Sequence, residues 1–309
     1  MGDGKRILVA GSINTDLVVR ARRVPEAGET VTGTSFAQFG GGKGANQAVA
    51  AARAGGQVAM LSGVGVDDFG RQRLADLAAE SVNTSTILVT DRASSGVALI
   101  TVDETGQNRI AYVPGAGWEV GPAEALSALD SWNPDIVLST LELPHETLAA
   151  LYAAANERGV PIICNATPEP SEGRDLVALA TVLIVNEQEA IELAQTSGTE
   201  DWATVAQALT ELGPSTVILT LGEEGALVWE SGRSFDIPTI EVEVVDTTGA
   251  GDAFCGAFTA FFAGGASAVE AARKGVIAGS IAVTRPGAQP SVATLEEIET
   301  AFARRELAV

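Results

Sequence analysis

The stretch Asp246-Thr247-Thr248-Gly249-Ala250-Gly251-Asp252 sets a carboxylate directly behind a glycine-rich turn. The β-branched run Ile240–Val245 before it predicts a strand, and the apolar run of about Ala250–Phe262 after it predicts a helix. Glycines let the backbone turn sharply and leave N–H groups at a helix N-terminus, where they hold an anion such as a developing phosphate charge. Asp252, in the first helical turn, could take a proton from an attacking hydroxyl. It could equally serve only to favour the helix dipole, and spacing alone leaves both open.

A second glycine turn, Gly40-Gly41-Gly42-Lys43-Gly44-Ala45-Asn46-Gln47, carries a lysine and an asparagine near a helix start. It is no Walker A loop, because Gly44 follows Lys43 where Ser or Thr is required. The chain's lysines are Lys5, Lys43 and Lys274, so one inside a glycine turn stands out. Glycines let a small polyol approach the backbone, and Lys43 and Asn46 could hydrogen-bond its hydroxyls. In Gly11-Ser12-Ile13-Asn14-Thr15-Asp16, Asn14 and Asp16 share a face if the chain is extended, and suit a row of hydroxyls or a turn role. Asn186 and Glu189, three apart at a helix start, could orient Mg2+ through its waters or simply form an acidic helix N-terminus. Thr220-Leu221-Gly222-Glu223-Glu224-Gly225 is a strand end with a turn, open enough for a nucleotide base or phosphate, or else a plain hairpin.

Composition excludes several classes. Nineteen Lys+Arg against forty Asp+Glu give a net charge of −21, which disfavours nucleic acid and anionic membrane as partners. Any polyphosphate site must therefore supply strong local compensation. The single histidine, His145, reads as a surface residue at a helix start, so a Ser-His-Asp hydrolase is disfavoured. Cys164 and Cys255 lack metal-ligand spacing and read as reduced core thiols. No apolar run reaches membrane-span length, and Met1–Arg6 carries no signal-peptide core, so a soluble, cytoplasmic protein is expected.

The elements that must position these residues follow from periodicity. Ile136–Ser139, Pro161–Asn165, Val182–Asn186 and Val217–Leu221 are apolar strands. Between them lie the helical stretches Glu146–Arg158, Glu187–Gln195 and Trp202–Leu212. This alternation predicts an α/β protein whose parallel sheet is covered on both faces, with Asn165, Asn186 and Thr220 at the ligand-binding strand ends. Asp16–Arg20, Thr30–Phe39, Gly96–Asp103 and Asn108–Val113 fall outside the alternation and predict a small separate sheet, a natural lid. Lys43–Ala54 predicts a helix packed tightly on the main sheet.

Taken together, these segments resemble the ribokinase branch of the PfkB-type carbohydrate kinases, through nearly the whole chain. Gly40–Gln47 and Asp246–Asp252 look like the family's two signatures; Pro25–Gly33, Ser95–Leu99, Asn186–Glu189 and Ala282–Ser291 fit as well, in the right order. Gly115-Ala116-Gly117 departs from the family's usual Gly-Ala-Asn. The resemblance implies a single domain over residues 1–309: a three-layer α/β/α core with a mainly parallel central sheet, plus a small β-sheet lid from about 12–40 and 94–114. It implies Asp252 as catalytic base beside an anion hole of Gly249, Ala250 and Gly251. It implies a sugar held by Asn14, Asp16, Gly42, Lys43, Asn46, Glu142 and Asp252. ATP would lie on Asn186, Thr220, Gly222, Gly225 and Gly251, with adenine near Val276. A monovalent cation, usually K+, would be ringed by Asp246, Thr248, Ala282, Arg285, Gly287 and Ser291, largely through carbonyls. A homodimer clasped through the lids is also implied. The expected reaction is ATP-dependent phosphorylation of D-ribose at O5. The nearest rival is a same-fold kinase for 2-deoxyribose, a nucleoside or a keto-deoxy sugar acid. A sensor without catalysis is disfavoured because the base and the glycines are present, and an NAD-dependent oxidoreductase because the first strand lacks the dinucleotide fingerprint.

Overall fold

The computed structural model describes residues 4–196 and 201–306. In chain order the strands are β1 (Arg6–Ala10), β2 (Asn14–Ala21), β3 (Gly33–Gly41), β4 (Gln57–Gly65), β5 (Ile87–Thr90), β6 (Gly96–Val102) and β7 (Asn108–Val113). They continue with β8 (Ile136–Thr140), β9 (Ile162–Asn165), β10 (Val182–Asn186), β11 (Thr216–Thr220), β12 (Ala226–Glu230) and β13 (Arg233–Ile237). The helices are α1 (Lys43–Arg53), α2 (Asp68–Ala79), α3 (Pro122–Trp132), α4 (His145–Glu157) and α5 (Arg174–Val177). After them come α6 (Glu187–Ala194), α7 (Trp202–Thr210), α8 (Ala250–Ala263), α9 (Ala268–Ala282) and α10 (Leu295–Glu306).

The central sheet runs β13-β12-β11-β10-β9-β8-β1-β4-β5. It is parallel from β11 to β5, with the antiparallel hairpin β12–β13 at one edge. Residues of one strand alternate between its faces. Leu8 and Ala10 join one core with α3, α4, α6 and α7, while Ile7 and Val9 join the other with α1, α2, α8 and α9. Helix α10 packs outside α8 and α9 through Ile298. These are the three α/β/α layers, and covering both faces is why the apolar runs Ile7–Ala10 of β1 and Ile136–Leu138 of β8 are buried.

From β1 the chain first builds outward through β4 to β5, then crosses to β8 and builds the other way. The crevice at the carboxyl ends of β1 and β8 is therefore a topological switch point, where ligands of such sheets bind. A smaller sheet, ordered β3-β2-β6-β7, leaves the core beside that crevice. It contains a parallel β2–β6 pair between antiparallel ones.

One expected element is absent. Ile240–Val245 does not form a strand: the chain leaves the sheet edge after Ile237, and residues 238–244 are irregular. Among the described residues they pair with no strand; Ile240, Val242 and Val244 line a groove instead, and Val244 and Val245 are exposed.

Candidate active site

Helices α1 and α8 lie side by side, and their closeness organises the site. A Cβ on Gly256 would sit 2.5 Å from the Gln47 carbonyl, so only glycine permits this approach. One turn before Gly256, on the same face of α8, Asp252 points at α1. Asn46 Nδ2 donates to its Oδ2 at 2.9 Å, and Gln47 Nε2 donates to its Oδ1 at 3.0 Å. Burial pushes the Asp252 carboxyl up to about 6; Asn46, Gln47 and the Lys43 charge oppose this, and Glu142 adds to it.

Gly249 enters α8 in the left-handed conformation, φ 78°, which glycine adopts without strain. The Ala250 N–H donates to the Thr247 carbonyl at 3.3 Å and that of Ala253 to the Gly249 carbonyl at 2.8 Å. Between them the Gly251 and Asp252 amides stand at the helix N-terminus; of the expected anion hole of Gly249, Ala250 and Gly251, the Ala250 amide is instead engaged by the Thr247 carbonyl.

On the β1 side, Glu142 follows β8 and is clamped across the switch point. Its Oε2 accepts from the Ser12 N–H at 3.2 Å, the Ser12 hydroxyl at 2.7 Å and the Thr140 hydroxyl at 3.0 Å. Asn14 and Asp16 stand two apart on β2, paired with Gly41 and Phe39 of β3. Burial pushes Asp16 up to about 6, with the charges of Arg73 and Lys43 pulling the other way. The charge of Lys43, the first residue of α1, favours the ionised forms of Asp16, Asp252 and Glu189 alike. Gly42 before it passes so close to the turn after β1 that a Cβ would lie 2.6 Å from the Ser12 carbonyl. The Asn14 Oδ1 and Asn46 Oδ1 atoms are buried without a hydrogen-bond partner in the structure. Two orphaned acceptors in one polar crevice suit a ligand rich in hydroxyls. The expected set Asn14, Asp16, Gly42, Lys43, Asn46, Glu142 and Asp252 thus converges on one crevice. Tyr112 of β7, partly exposed, stands on the same face of the smaller sheet as Asp16, and desolvation pushes its phenol up to about 12.

Behind the α8 turn opens a groove of about 1050 Å³. Asn186, Thr220, Gly222, Gly225, Gly251 and Val276 all line it, so the expected nucleotide set also converges. Phe254, Val242, Val244 and Val283 supply apolar walls that sequence reading missed. Thr220–Gly225 is both the β11–β12 hairpin turn and part of this lining. Asn186 and Glu189 cap α6 reciprocally: the Asn186 side chain accepts from the Glu189 N–H, and Glu189 from the Asn186 N–H, both at 2.9 Å. The helix-capping alternative is therefore realised for this pair, and one Glu189 oxygen is occupied by it.

Asp246 ties the α8 approach to the loop after α9. It accepts from the Thr248 N–H and hydroxyl at 2.9 and 2.6 Å, and from the Gly287 N–H at 2.8 Å. These bonds hold its carboxyl below the ordinary value despite burial. The Ser291 hydroxyl donates to the Ala288 carbonyl, and Ala282 ends α9 nearby. The Arg285 guanidinium pairs with Glu297.

Residues set aside from chemistry behave as such. His145 is exposed and hydrogen-bonded to Asp175. Cys164 and Cys255 are free and buried. Lys274 lies over Phe261 and pairs with Glu299. Gly117 has open space where a side chain would point. Among the described residues no helix is long and apolar enough to cross a membrane.

A carboxylate held beside free helix-entry amides, between a polar crevice and a large groove, defines a phosphoryl-transfer site on a doubly wound α/β scaffold. Comparison with known proteins narrows the class. The model of the pfkB family of carbohydrate kinases matches residues 5–295, and the chain belongs to this family. It is 40% identical to a ribokinase of Bacillus subtilis over 96% of this chain and 98% of that one. A solved ribokinase of Thermotoga maritima superposes with a TM-score of 0.86 at 32% identity, over 97% and 99% of the two chains. An Arabidopsis thaliana ribokinase, solved in complex with ribose and ATP, superposes with a TM-score of 0.86 at 28% identity, over 96% and 98%.

Proposed function

We propose that this chain transfers the γ-phosphoryl group of ATP to O5 of D-ribose, giving D-ribose 5-phosphate and ADP. The observation that carries the reading is the position of Asp252. Its carboxylate is held by Asn46 from the hydroxyl-binding crevice, while the adjoining Gly251 lines the nucleotide-sized groove. Ribose rests on Asn14, Asp16, Gly42, Lys43, Asn46 and Glu142, with O5 toward Asp252. ATP lies along Asn186, Thr220, Gly222 and Gly225, its adenine against Val276 and Phe254. The O5–P bond forms as the bond from Pγ to the ADP oxygen breaks. The O5 proton passes to Asp252, late, because the transition state is loose. The Gly251 and Asp252 amides, with Lys43 close by, face the charge on the transferring group.

The residues fit two ions. Mg2+ keeps its waters and binds largely through phosphates, and the Asn186–Glu189 pair supplies an amide and a carboxylate at the edge of the groove. Asn186 and Glu189 would hold it through water, and it would neutralise phosphate charge. The hard oxygens of the Asp246–Thr248 and Ala282–Ser291 loops, with one carboxylate and no imidazole or thiolate, suit K+, which would keep the Gly249–Gly251 turn in shape. The smaller sheet, from about 12–40 and 94–114, acts as a lid over the sugar. Its outer face exposes Val19, Phe36, Leu99 and Val113, and a second copy of the chain covers it in a homodimer. The net charge of −21 and the free cysteines suit a cytoplasmic enzyme.

The test is ADP release from MgATP with ribose, 2-deoxyribose, fructose, keto-deoxygluconate, adenosine and cytidine, each in potassium or in sodium. Potassium-stimulated turnover preferring ribose is expected. Preference for a nucleoside or a sugar acid would overturn the sugar assignment while leaving Asp252 in place.

A further inference from the structure

We propose that Gln47, braced by Asn165, is a positioning residue that sets the plane of the Asp252 carboxylate; this deepens, and rests on, the reading of Asp252 as base. Gln47 is fully buried in α1, so its side chain reaches the reaction only through a neighbour. Its Nε2 donates to Asp252 Oδ1 at 3.0 Å and to Asn165 Oδ1 at 2.9 Å. Both amide hydrogens are thereby used. Asn165, at the end of β9, donates in turn from Nδ2 to the Ile184 carbonyl at 3.1 Å. A chain of hydrogen bonds therefore runs from the backbone of β10 through two amides to the base.

The orientation of each amide is forced. Turning Asn165 over would lose its bond to the Ile184 carbonyl. Turning Gln47 over would set its Oε1 against two oxygens. As it stands, Gln47 Oε1 is buried with no hydrogen-bond partner in the structure. Such an orphan carries a desolvation cost. The structure tolerates that cost at a position where the donor end does something specific.

Asn46 and Gln47 are consecutive on α1 and each takes one oxygen of the same carboxylate. Two donors on two oxygens stop rotation of the carboxylate about its Cβ–Cγ bond. They leave the remaining lone pairs directed at the crevice, where a hydroxyl is to be deprotonated. They also favour the ionised base against the burial that opposes it. The other charged or titratable groups acting on Asp252 are Lys43 and Glu142 from the crevice side; Cys255 follows on its own helix, with its thiol pushed up by burial and kept neutral. Removing Gln47 thus has two consequences at once: misalignment of the base, and a higher proton affinity.

The experiment compares Gln47→Met, nearly isosteric and without the donor, and Gln47→Glu with wild type and Asp252→Asn. kcat and the ribose KM are measured with saturating MgATP from about pH 5 to about pH 9, with melting curves and calorimetric ribose binding as checks of folding. For Gln47→Met, kcat should fall roughly 10- to 100-fold with the ribose KM within about threefold, as expected of lost alignment. The acid limb of kcat should move toward neutral pH, and further in Gln47→Glu, where a second carboxyl adjoins the first. An unmoved acid limb with unchanged kcat, or a change confined to KM, overturns the proposal. If Gln47→Met does not fold, the limb of Gln47→Glu decides. Wild-type turnover in Asp252→Asn would instead remove the base assignment itself, a failure separate from that of Gln47.

Discussion

Lowering the pH should disarm the enzyme in two separable ways. The Asp252 and Asp16 carboxyls are each pushed up to about 6 by burial, from an ordinary 3.8. A base with that proton affinity is ionised in only about one molecule in eleven at about pH 5. kcat reports groups in the ternary complex, where Asp252 alone must lose its proton, so it should fall about tenfold from its neutral plateau. kcat/KM for ribose reports the free enzyme, where Asp16 must also be charged to accept sugar hydroxyls. It should fall as the product of the two fractions, roughly a hundredfold, with a limiting slope of two. Carboxylates at their ordinary value would leave both parameters nearly flat down to about pH 5. Acid unfolding does not confound this window through the same two groups. Each binds more protons folded than unfolded between about pH 4 and 6, so its destabilising effect is complete only above about 6 and fades as the pH falls. Glu297 works in the opposite sense: held down at about 2 by Arg285, it contributes stability above its ordinary value and loses it only as the pH falls toward 2. The assay is ADP release at fixed ionic strength, with substrate series at each pH. A kcat at about pH 5 within twofold of its neutral value would refute the reasoning.

Asp16→Asn should raise the ribose KM by roughly 10- to 100-fold, as loss of a charged hydrogen-bond acceptor does, and should reduce the acid slope of kcat/KM from two to one. Gly249→Ala should lower kcat roughly a hundredfold and the melting temperature with it, because φ is 78° and the new Cβ would meet Ala288 at 2.9 Å; unchanged kcat would argue against the anion hole. Val276→Trp should raise the KM for ATP at least about tenfold by filling the apolar groove, with calorimetric ribose affinity unchanged. Leu99→Lys with Val113→Lys should dissociate the dimer in sedimentation velocity, since both side chains stand exposed on one face of the smaller sheet; an unchanged mass would place the contact elsewhere.

The chemistry-bearing turns were legible because their physics is local. Glycine followed by a helix start is a short-range signal, and Gly249, Gly251 and Asp252 stand at the N-terminus of α8 as read. The strand–helix alternation after residue 130 was legible for the same reason, since burial on both faces imposes unbroken apolar runs on β8 to β11. Ile240–Val245 misled because alternation signals a strand only where the segment runs along an edge and pairs with it, and whether it does is a property of the assembled sheet. Asn186 and Glu189 left two roles open, and the structure shows their mutual capping of α6.

By itself, the amino-acid sequence determined the two glycine turns, the carboxylate after the second, the covered parallel sheet and the family resemblance. Each rests on neighbours in the chain or on order along it. Only the tertiary structure decided that Gln47 and Asn46, more than 200 residues before Asp252, would share its carboxylate. The same is true of Ser12 and Thr140 clamping Glu142, and of residues 239–244 walling the groove. Those contacts depend on how closely α1 can approach α8 and on which strands meet at the switch point, and packing sets both through side chains far apart in sequence.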